Sequence, residues 1–376
     1  MILLVYSIAA TVIWIGFMTY LLIGLHQIKK LKAQPITAEQ PPLAIIIAVR
    51  NEEEDLEKAL QSVCNINYQN HRIIVVNDRS TDRTAEILAG FDHPRMKLIT
   101  LDELPHGWLG KNNALYQGYK NSTEEWMLFT DADIEFHPDA ISRAFGYVEK
   151  HNLDHLSVLP DVRSRSVILN SVLATFSMML MMLTRPWDAK KPRRSGSLGV
   201  GAFNLVKRTA YEQAGTHVKI KLRPDDDLKL GQNIKRAGLR QDVLSGGGYI
   251  CLEWYKSLQQ FRNGLLKNSF SVGNYNAFRT VADVTATLLT TALPIPVMLI
   301  FGDTAIRLMA CLVLAAQVFF MSVNPRNKWW YALMIPYAGF LMAYILAKSA
   351  CVTLKQGGIY WRESFYSLAM LRGEEE

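Results

Sequence analysis

Charge is missing from the start of this sequence: no residue from Met1 to Leu25 carries a charged side chain. Cysteine is scarce, with four in 376 residues. Cys64, Cys251, Cys311 and Cys351 show no C-x-x-C spacing, which argues against a disulfide framework or a zinc site and fits a reducing compartment. The eight histidines form no metal-ligating cluster. His151 and His155 stand four apart without a third ligand and read as a solvent-facing pair. No Arg/Lys-rich stripe interleaved with aromatics occurs, so nucleic acid is not an expected partner. The formal net charge of +7 then suits anionic lipid or a phosphorylated substrate. Internal repeats and low-complexity segments are also missing.

The uncharged opening is long enough to cross ~30 Å of hydrocarbon. It has neither a basic leader nor a small-residue cleavage site, so residues 1–27 read as a transmembrane anchor rather than a signal peptide. Lys29, Lys30 and Lys32 follow at once. Positive charge marks the cytoplasmic side, which sets the N-terminus outside and the next domain inside. Residues 28–42 form a linker ending at Pro41-Pro42.

From there the pattern is one of alternating strands and helices. Leu43 to Val49 is a continuous apolar run, as for a strand buried on both faces. Leu56, Ala59, Leu60 and Val63 follow at helical spacing. Arg72 to Val76, Met96 to Leu101 and Trp126 to Thr130 read as further strands, and Ser80, Thr81 and Asp82 as helix caps before Ala85 and Leu88. This alternation predicts an α/β fold with a mostly parallel sheet over residues 43–256. Ligands of such sheets collect at the carboxyl ends of the strands. Asn51, Asp78 and Asp131 all fall at or just past such ends.

Apolar segments return later. Val167 to Thr184 is long enough to span, but Asn170 and its Ser/Thr content favour an in-plane helix. Arg185, Lys190, Lys191, Arg193 and Arg194 follow; they form either a solvated basic loop or a surface that docks on anionic lipid. Residues 257–282 read as interfacial. Residues 283–347 hold three apolar segments interrupted by Pro294, Pro296 and Pro336, which membrane helices tolerate. Three full spans would carry the tail, residues 348–376, outside. Its Lys348, Lys355, Arg362 and Arg372 favour inside. Two spans plus one re-entrant or interfacial segment would reconcile the two.

Four groups of residues carry candidate chemistry. Asp131-Ala132-Asp133 closes the strand from Trp126. Two acids at a strand end are costly without a cation, and a divalent metal bridging to a diphosphate would supply one; the alternative is a turn with solvated acids. Arg50-Asn51-Glu52 and Asp78 offer acceptors for a base or ribose hydroxyl. In Gly107-Trp108-Leu109-Gly110-Lys111, glycine permits close backbone approach and Lys111 offers a point charge for phosphate. Asp225-Asp226-Asp227 places three acids in a row, so at least one pKa should rise. A carboxylate so poised can take a proton from a hydroxyl nucleophile; the same acids would also suit a helix start.

The ordered series I-I-I-A-V-R-N-E (45–52), V-V-N-D-R-S-T-D (75–82), G-W-L-G-K (107–111), D-A-D (131–133) and D-D-D-L-K-L-G (225–231) resembles family 2 glycosyltransferases of the GT-A fold. The likeness covers about residues 43–256. With the membrane segments and Gly358-Ile359-Tyr360-Trp361-Arg362, it resembles the bacterial subgroup that acts on lipids, which includes carotenoid (diaponeurosporenoate-type) and hopanoid-associated enzymes. The resemblance implies a Rossmann-like GT-A domain with an N-terminal anchor and C-terminal transmembrane helices, in the plasma membrane with the catalytic domain cytoplasmic. It implies an inverting transfer from a nucleotide-diphosphate sugar, UDP-linked by expectation, to a membrane-embedded lipid, with Mg2+ or Mn2+. Val49, Arg50, Asn51, Glu52, Asp78, Lys111 and Asp131 would serve the donor. Asp131 and Asp133 would hold the metal. Asp227 would be the catalytic base, with Asp226 as its alternative. Gly201, Ala202, Phe203 and Asn204 would meet the acceptor, as would Gln259 and Arg262. Processive polysaccharide synthases carry Q-x-x-R-W, whereas Asn263 follows Arg262 here, which argues against polymer synthesis. A polysaccharide synthase and a non-enzymatic membrane protein with a degenerate nucleotide domain are the alternatives.

Overall fold

The computed structural model describes residues 1–192, 196–361 and 364–374. Arg193, Arg194 and Arg362 of the basic segments lie outside the described residues. The chain divides into two compact units. One comprises Gln27–Arg163 and Thr184–Trp254; the other comprises Met1–His26, Ser164–Leu183 and Tyr255–Glu376.

The first unit contains β1 (Lys29–Lys30), β2 (Leu43–Val49), β3 (His71–Asp78), β4 (Met96–Leu101), β5 (Trp126–Asp131), β6 (Glu135–Phe136), β7 (His155–Leu159), β8 (Asp161–Val162), β9 (Asn204–Lys207), β10 (Gln241–Ser245) and β11 (Ile250–Leu252). Numbering helices from α1 (Ile2–Gln27), this unit holds α2 (Leu56–Cys64), α3 (Thr84–Ala89), α4 (Gly110–Lys120), α5 (Ala140–His151), α7 (Arg208–Gln213) and α8 (Asp226–Arg236). Eight strands form one sheet in the order β1-β10-β7-β9-β5-β2-β3-β4. Neighbours are parallel except around β9, which runs antiparallel to β5 and β7. The mostly parallel sheet expected from the sequence is present, and its strands extend the expected runs to Asp78 and Asp131.

Helices cover both faces, which is why β2 reads as an unbroken apolar run. Ile45, Ile47, Ile73, Val75 and Leu128 pack with Leu60 of α2 and Phe145 of α5. Ile46, Ile74, Val76, Met127 and Phe129 pack on the other side with Leu115 of α4, Tyr211 of α7 and Ile234 of α8. Each such aliphatic side chain contributes about 1.5–3 kcal/mol by leaving water. The solvent-facing histidine pair is corrected here: His151 is exposed, but His155 is fully buried on β7, where its Nε2 lies 2.5 Å from Asn204 Oδ1. Alternation along a buried strand, not helical spacing, governs that side chain. Burial pushes its pKa down to about 4, so it is neutral at physiological pH.

The second unit contains α1, α6 (Val167–Thr184), α9 (Leu258–Val272), α10 (Ala277–Thr287), α11 (Pro294–Phe301), α12 (Thr304–Val323), α13 (Ile335–Gln356) and α14 (Leu368–Arg372), with a hairpin of β12 (Gly358–Trp361) and β13 (Ser364–Ser367). Among the described residues, four helical stretches are long and apolar enough to cross a membrane: Ile2–Gln27, Val167–Asp188, Thr304–Val323 and Trp329–Gln356. A fifth, Ala277–Ala292 with Pro294–Phe301, is bent by 53°, the shape of a broken span or a re-entrant loop. Pro294 and Pro296 explain the break, since each removes a backbone donor. Asn170, which argued for an in-plane α6, satisfies its own amide: Oδ1 accepts from Ser164 N at 3.1 Å and Nδ2 donates to Ser164 O at 2.8 Å. That residue therefore does not weigh against a span.

Two glycines fix how the chain before β9 lies on α8. A Cβ at Gly231 would collide with the backbone of Gly199, and a Cβ at Gly199 with the carbonyl of Asp227. Backbone cannot yield as a flexible side chain can. Gly231→Ala should therefore destabilise the protein by about 1–3 kcal/mol, although alanine is favoured in an isolated helix by about 1 kcal/mol. Thermal unfolding in detergent checks this; a raised Tm would contradict it.

Candidate active site

Register brings the candidate residues level. Ala48 of β2 pairs with Asp131 of β5, and Val49 pairs with Asn77 of β3. The carboxyl ends of β5, β2 and β3 thus form one rim, at the place where the connections from β2 and from β5 leave in opposite directions along the sheet, as in other open α/β sites. Asp131 ends β5, and its N–H donates to Gly201 O at 3.1 Å. Its carboxylate lies 2.6 Å from Lys111 Nζ. Gly201 stands so close that a Cβ there would come 2.5 Å from Asp131 Oδ2. Asp133 follows in the turn. Burial, then the charge of Asp131, pushes its pKa up to about 6.

The three acids at the start of α8 divide their work. Asp225 is held by Arg223 through two bonds of 2.9 and 3.0 Å, so it is structural. Asp226 is buried, with Oδ1 3.7 Å from Lys111 Nζ. Asp227 Oδ2 accepts from Gly201 N at 2.8 Å, and Oδ1 from Leu228 N at 2.7 Å. Burial raises both pKa values, that of Asp226 to about 7, while Lys111 works to lower them. The rise expected from three adjacent acids is therefore present, but desolvation outranks their mutual repulsion as its cause.

Lys111 ties the two acidic motifs together. Burial alone would lower its pKa, but Asp131, Asp226 and Asp227 outweigh this and hold the ammonium firmly protonated. Its position depends on Asn112, which sequence reasoning left without a role. Asn112 Nδ2 donates to the carbonyls of Ile220, Lys221 and Arg223 at 2.9, 3.2 and 2.9 Å, and Leu109 N donates to Lys221 O. These bonds pin the start of α4 to the segment leading into Asp225. The only available signal was an amide directly after the lysine of G-W-L-G-K.

The donor-side residues form a second cluster. Asp78 is buried and receives Arg79 Nε at 2.8 Å and Arg50 Nη1 at 3.5 Å. Gly110 is required beneath it, because a Cβ there would collide with its carboxylate. Asn51 and Arg79 both have left-handed backbone, with φ of 54° and 53°. Such strain gathers at functional sites. Asn51 Oδ1 accepts from Thr81 N, and Glu52 N donates to Thr84 Oγ1, joining the loops after β2 and β3. Asp82, expected as a cap, accepts from Thr84 N and Glu53 N. Val49 is a core side chain, so only its backbone faces the rim.

The expected acceptor residues separate. Gly201 touches both Asp131 and Asp227. The side chains of Ala202, Phe203 and Asn204 are buried in the sheet unit, next to the half-buried Gly201. Gln259 and Arg262 lie on α9 in the other unit; Gln259 is exposed and Arg262 bonds Asn263 Oδ1. Among the described residues no three His, Cys, Asp or Glu side chains converge as a metal cage. Asp131 and Asp133 supply two carboxylates, the donor set by which Mg2+-like ions are held when phosphate oxygens complete the shell.

The mostly parallel sheet, with its acidic motifs at the carboxyl rim, has the GT-A fold. In sequence, residues 44–214 match the family described as Glycosyl transferase family 2. A 4,4'-diaponeurosporenoate glycosyltransferase of Staphylococcus aureus is 22% identical over 90% of this chain and 92% of its own. One from Staphylococcus haemolyticus is 24% identical, and the match spans 57% of each chain. In fold, the chain resembles a mannosyltransferase from Pyrobaculum calidifontis solved with GDP-Man and Mn2+, with a TM-score of 0.57 and 18% identity over 94% of this chain and 99% of that one.

Asp226 and Asp227 should titrate as one pair. A reaction needing that pair ionised loses rate as pH falls through about 7. Lys111→Met removes the charge that lowers both pKa values, so the acid limb of kcat/KM should move up by about one unit or more. An acid limb that stays in place would contradict the assignment.

Proposed function

We propose that this enzyme is an inverting glycosyltransferase that moves a sugar from a UDP-sugar to a lipid acceptor embedded in the membrane, of carotenoid or hopanoid kind. The observation that carries the reading is Lys111, whose ammonium reaches Asp131 of D-A-D at 2.6 Å and Asp226 of D-D-D at 3.7 Å. Three motifs far apart in sequence thereby meet at one ammonium. The diphosphate belongs beside Lys111 and Asp131, and the base and ribose beside Arg50, Asn51, Glu52 and Asp78.

Asp227 acts as general base. Its oxygens are oriented by Gly201 N and Leu228 N, and its raised pKa keeps it basic enough to accept a proton from an acceptor hydroxyl as that oxygen attacks the anomeric carbon. Asp226 shares the charge of the pair. Asp131 and Asp133 would hold Mg2+ or Mn2+, which when bound offsets negative charge developing on the leaving diphosphate. The raised pKa of Asp133 fits that role, because a carboxylate costly to ionise alone gains most from a cation. Gly201, bonded to both Asp131 and Asp227, would lie beside the acceptor.

Four apolar helices and the relatives' carotenoid-type name support a lipid acceptor. Lys29, Lys30 and Lys32 after α1 support a multi-pass protein of the plasma membrane with its sheet unit in the cytoplasm.

Asp227→Asn should leave donor binding near wild type and lower turnover by at least ~10²; near-normal turnover, with Asp226→Asn inactive, would move the role to Asp226. EDTA should abolish transfer, and Mg2+ or Mn2+ should restore it; full activity in EDTA would remove the metal from Asp131 and Asp133. Mass spectrometry of lipids from cells with and without the protein identifies the product, and a glycosylated lipid present in both would refute the acceptor class.

A further inference from the structure

Away from the acidic rim, the sheet unit has a second concavity of about 590 Å³. Its lining is cationic. Lys29, Lys150, Lys190, Lys235 and Arg240 face it, with Asp242 as the one carboxylate. Asp242 is already engaged: Oδ2 accepts from Tyr147 Oη at 2.7 Å and Oδ1 from Val243 N at 2.8 Å. Lys235 is also engaged, donating to the carbonyls of Asp188, Ala189 and Lys191. The four remaining cations are exposed and make no ion pair among the described residues. Gathering like charges around a hollow without counter-ions is unfavourable unless an anion fills it.

Chain connectivity indicates which anion. Lys29 stands two residues beyond α1, and Lys190 two residues beyond the apolar stretch Val167–Asp188; both stretches are long enough to cross a membrane. Successive Cα atoms are 3.8 Å apart, so both lysines stay within about 8 Å of the end of an apolar helix. β1 adds Lys29 to the edge of β10, whose Gln241 and Asp242 line the same hollow. Cations immediately past apolar helices meet headgroups of the anionic leaflet.

We propose that this pocket binds the phosphate headgroup of an anionic phospholipid and docks the sheet unit on the membrane surface. The inference rests on the chain being membrane-embedded, and not on which sugar or acceptor it uses. The full chain is reconstituted in nanodiscs of phosphatidylcholine with phosphatidylglycerol, and the lipids it retains are counted by native mass spectrometry. Phosphatidylglycerol should be enriched, and the combined variant Lys29→Gln, Lys150→Gln, Lys190→Gln, Arg240→Gln should lose that enrichment, by about fivefold per charge. The four arginine or lysine swaps (Lys29→Arg, Lys150→Arg, Lys190→Arg, Arg240→Lys) should keep it. Donor hydrolysis by the glutamine variant, unchanged in detergent, reports that it is folded. No enrichment in the wild type, or the same enrichment in the glutamine variant, overturns the proposal. Displacement of the lipid by millimolar inorganic phosphate overturns the lipid source and assigns the pocket to free phosphate.

Discussion

The site depends on one half-buried cation facing three carboxylates. Without the Lys111 ammonium, the repulsion among Asp131, Asp226 and Asp227 would be offset far less, by little more than the N–H groups that Asp227 accepts. A charge-charge interaction at such distances is worth several times its value in water. The sheet brings Asp131 to the rim, α8 brings Asp226 and Asp227, and α4 brings the lysine. The three elements meet because Asn112 bonds the start of α4 to the carbonyls before Asp225, and because Gly199, Gly201 and Gly231 let backbone lie against backbone or carboxylate. The acids proposed for catalysis and the glycines that pack against them are thus parts of one arrangement.

Desolvation does two jobs there. It keeps Asp226 and Asp227 from ionising as readily as an exposed aspartate, which makes them useful bases near neutral pH. It also leaves Asp133 short of a partner, which a divalent cation can supply. A single environment therefore favours both proton transfer and diphosphate binding, with Lys111 limiting how far the carboxylates shift.

Much of the fold was legible because burial on two faces leaves a plain record. Leu43 to Val49 could hardly be other than a central strand, and Asp131 and Asp78 were found by standing at the ends of such strands. The acids at 225–227 were legible as a group, but not their division: that Asp225 is taken by Arg223 follows only from folded geometry. His155 was misread as solvent-facing for want of a third ligand near it, whereas it sits on β7 inside the sheet. Asn112 had no sequence signal beyond its neighbour.

The central claim is that the two acidic motifs and Lys111 form one donor site. It is tested most directly by a crystal or cryo-EM structure of the full chain with UDP and Mn2+, the metal located by its anomalous signal where crystals allow. The account predicts manganese between Asp131, Asp133 and the diphosphate, with Lys111 beside the phosphates and Asp227 facing the vacant acceptor side. Nucleotide bound elsewhere, or manganese away from both aspartates, would contradict it.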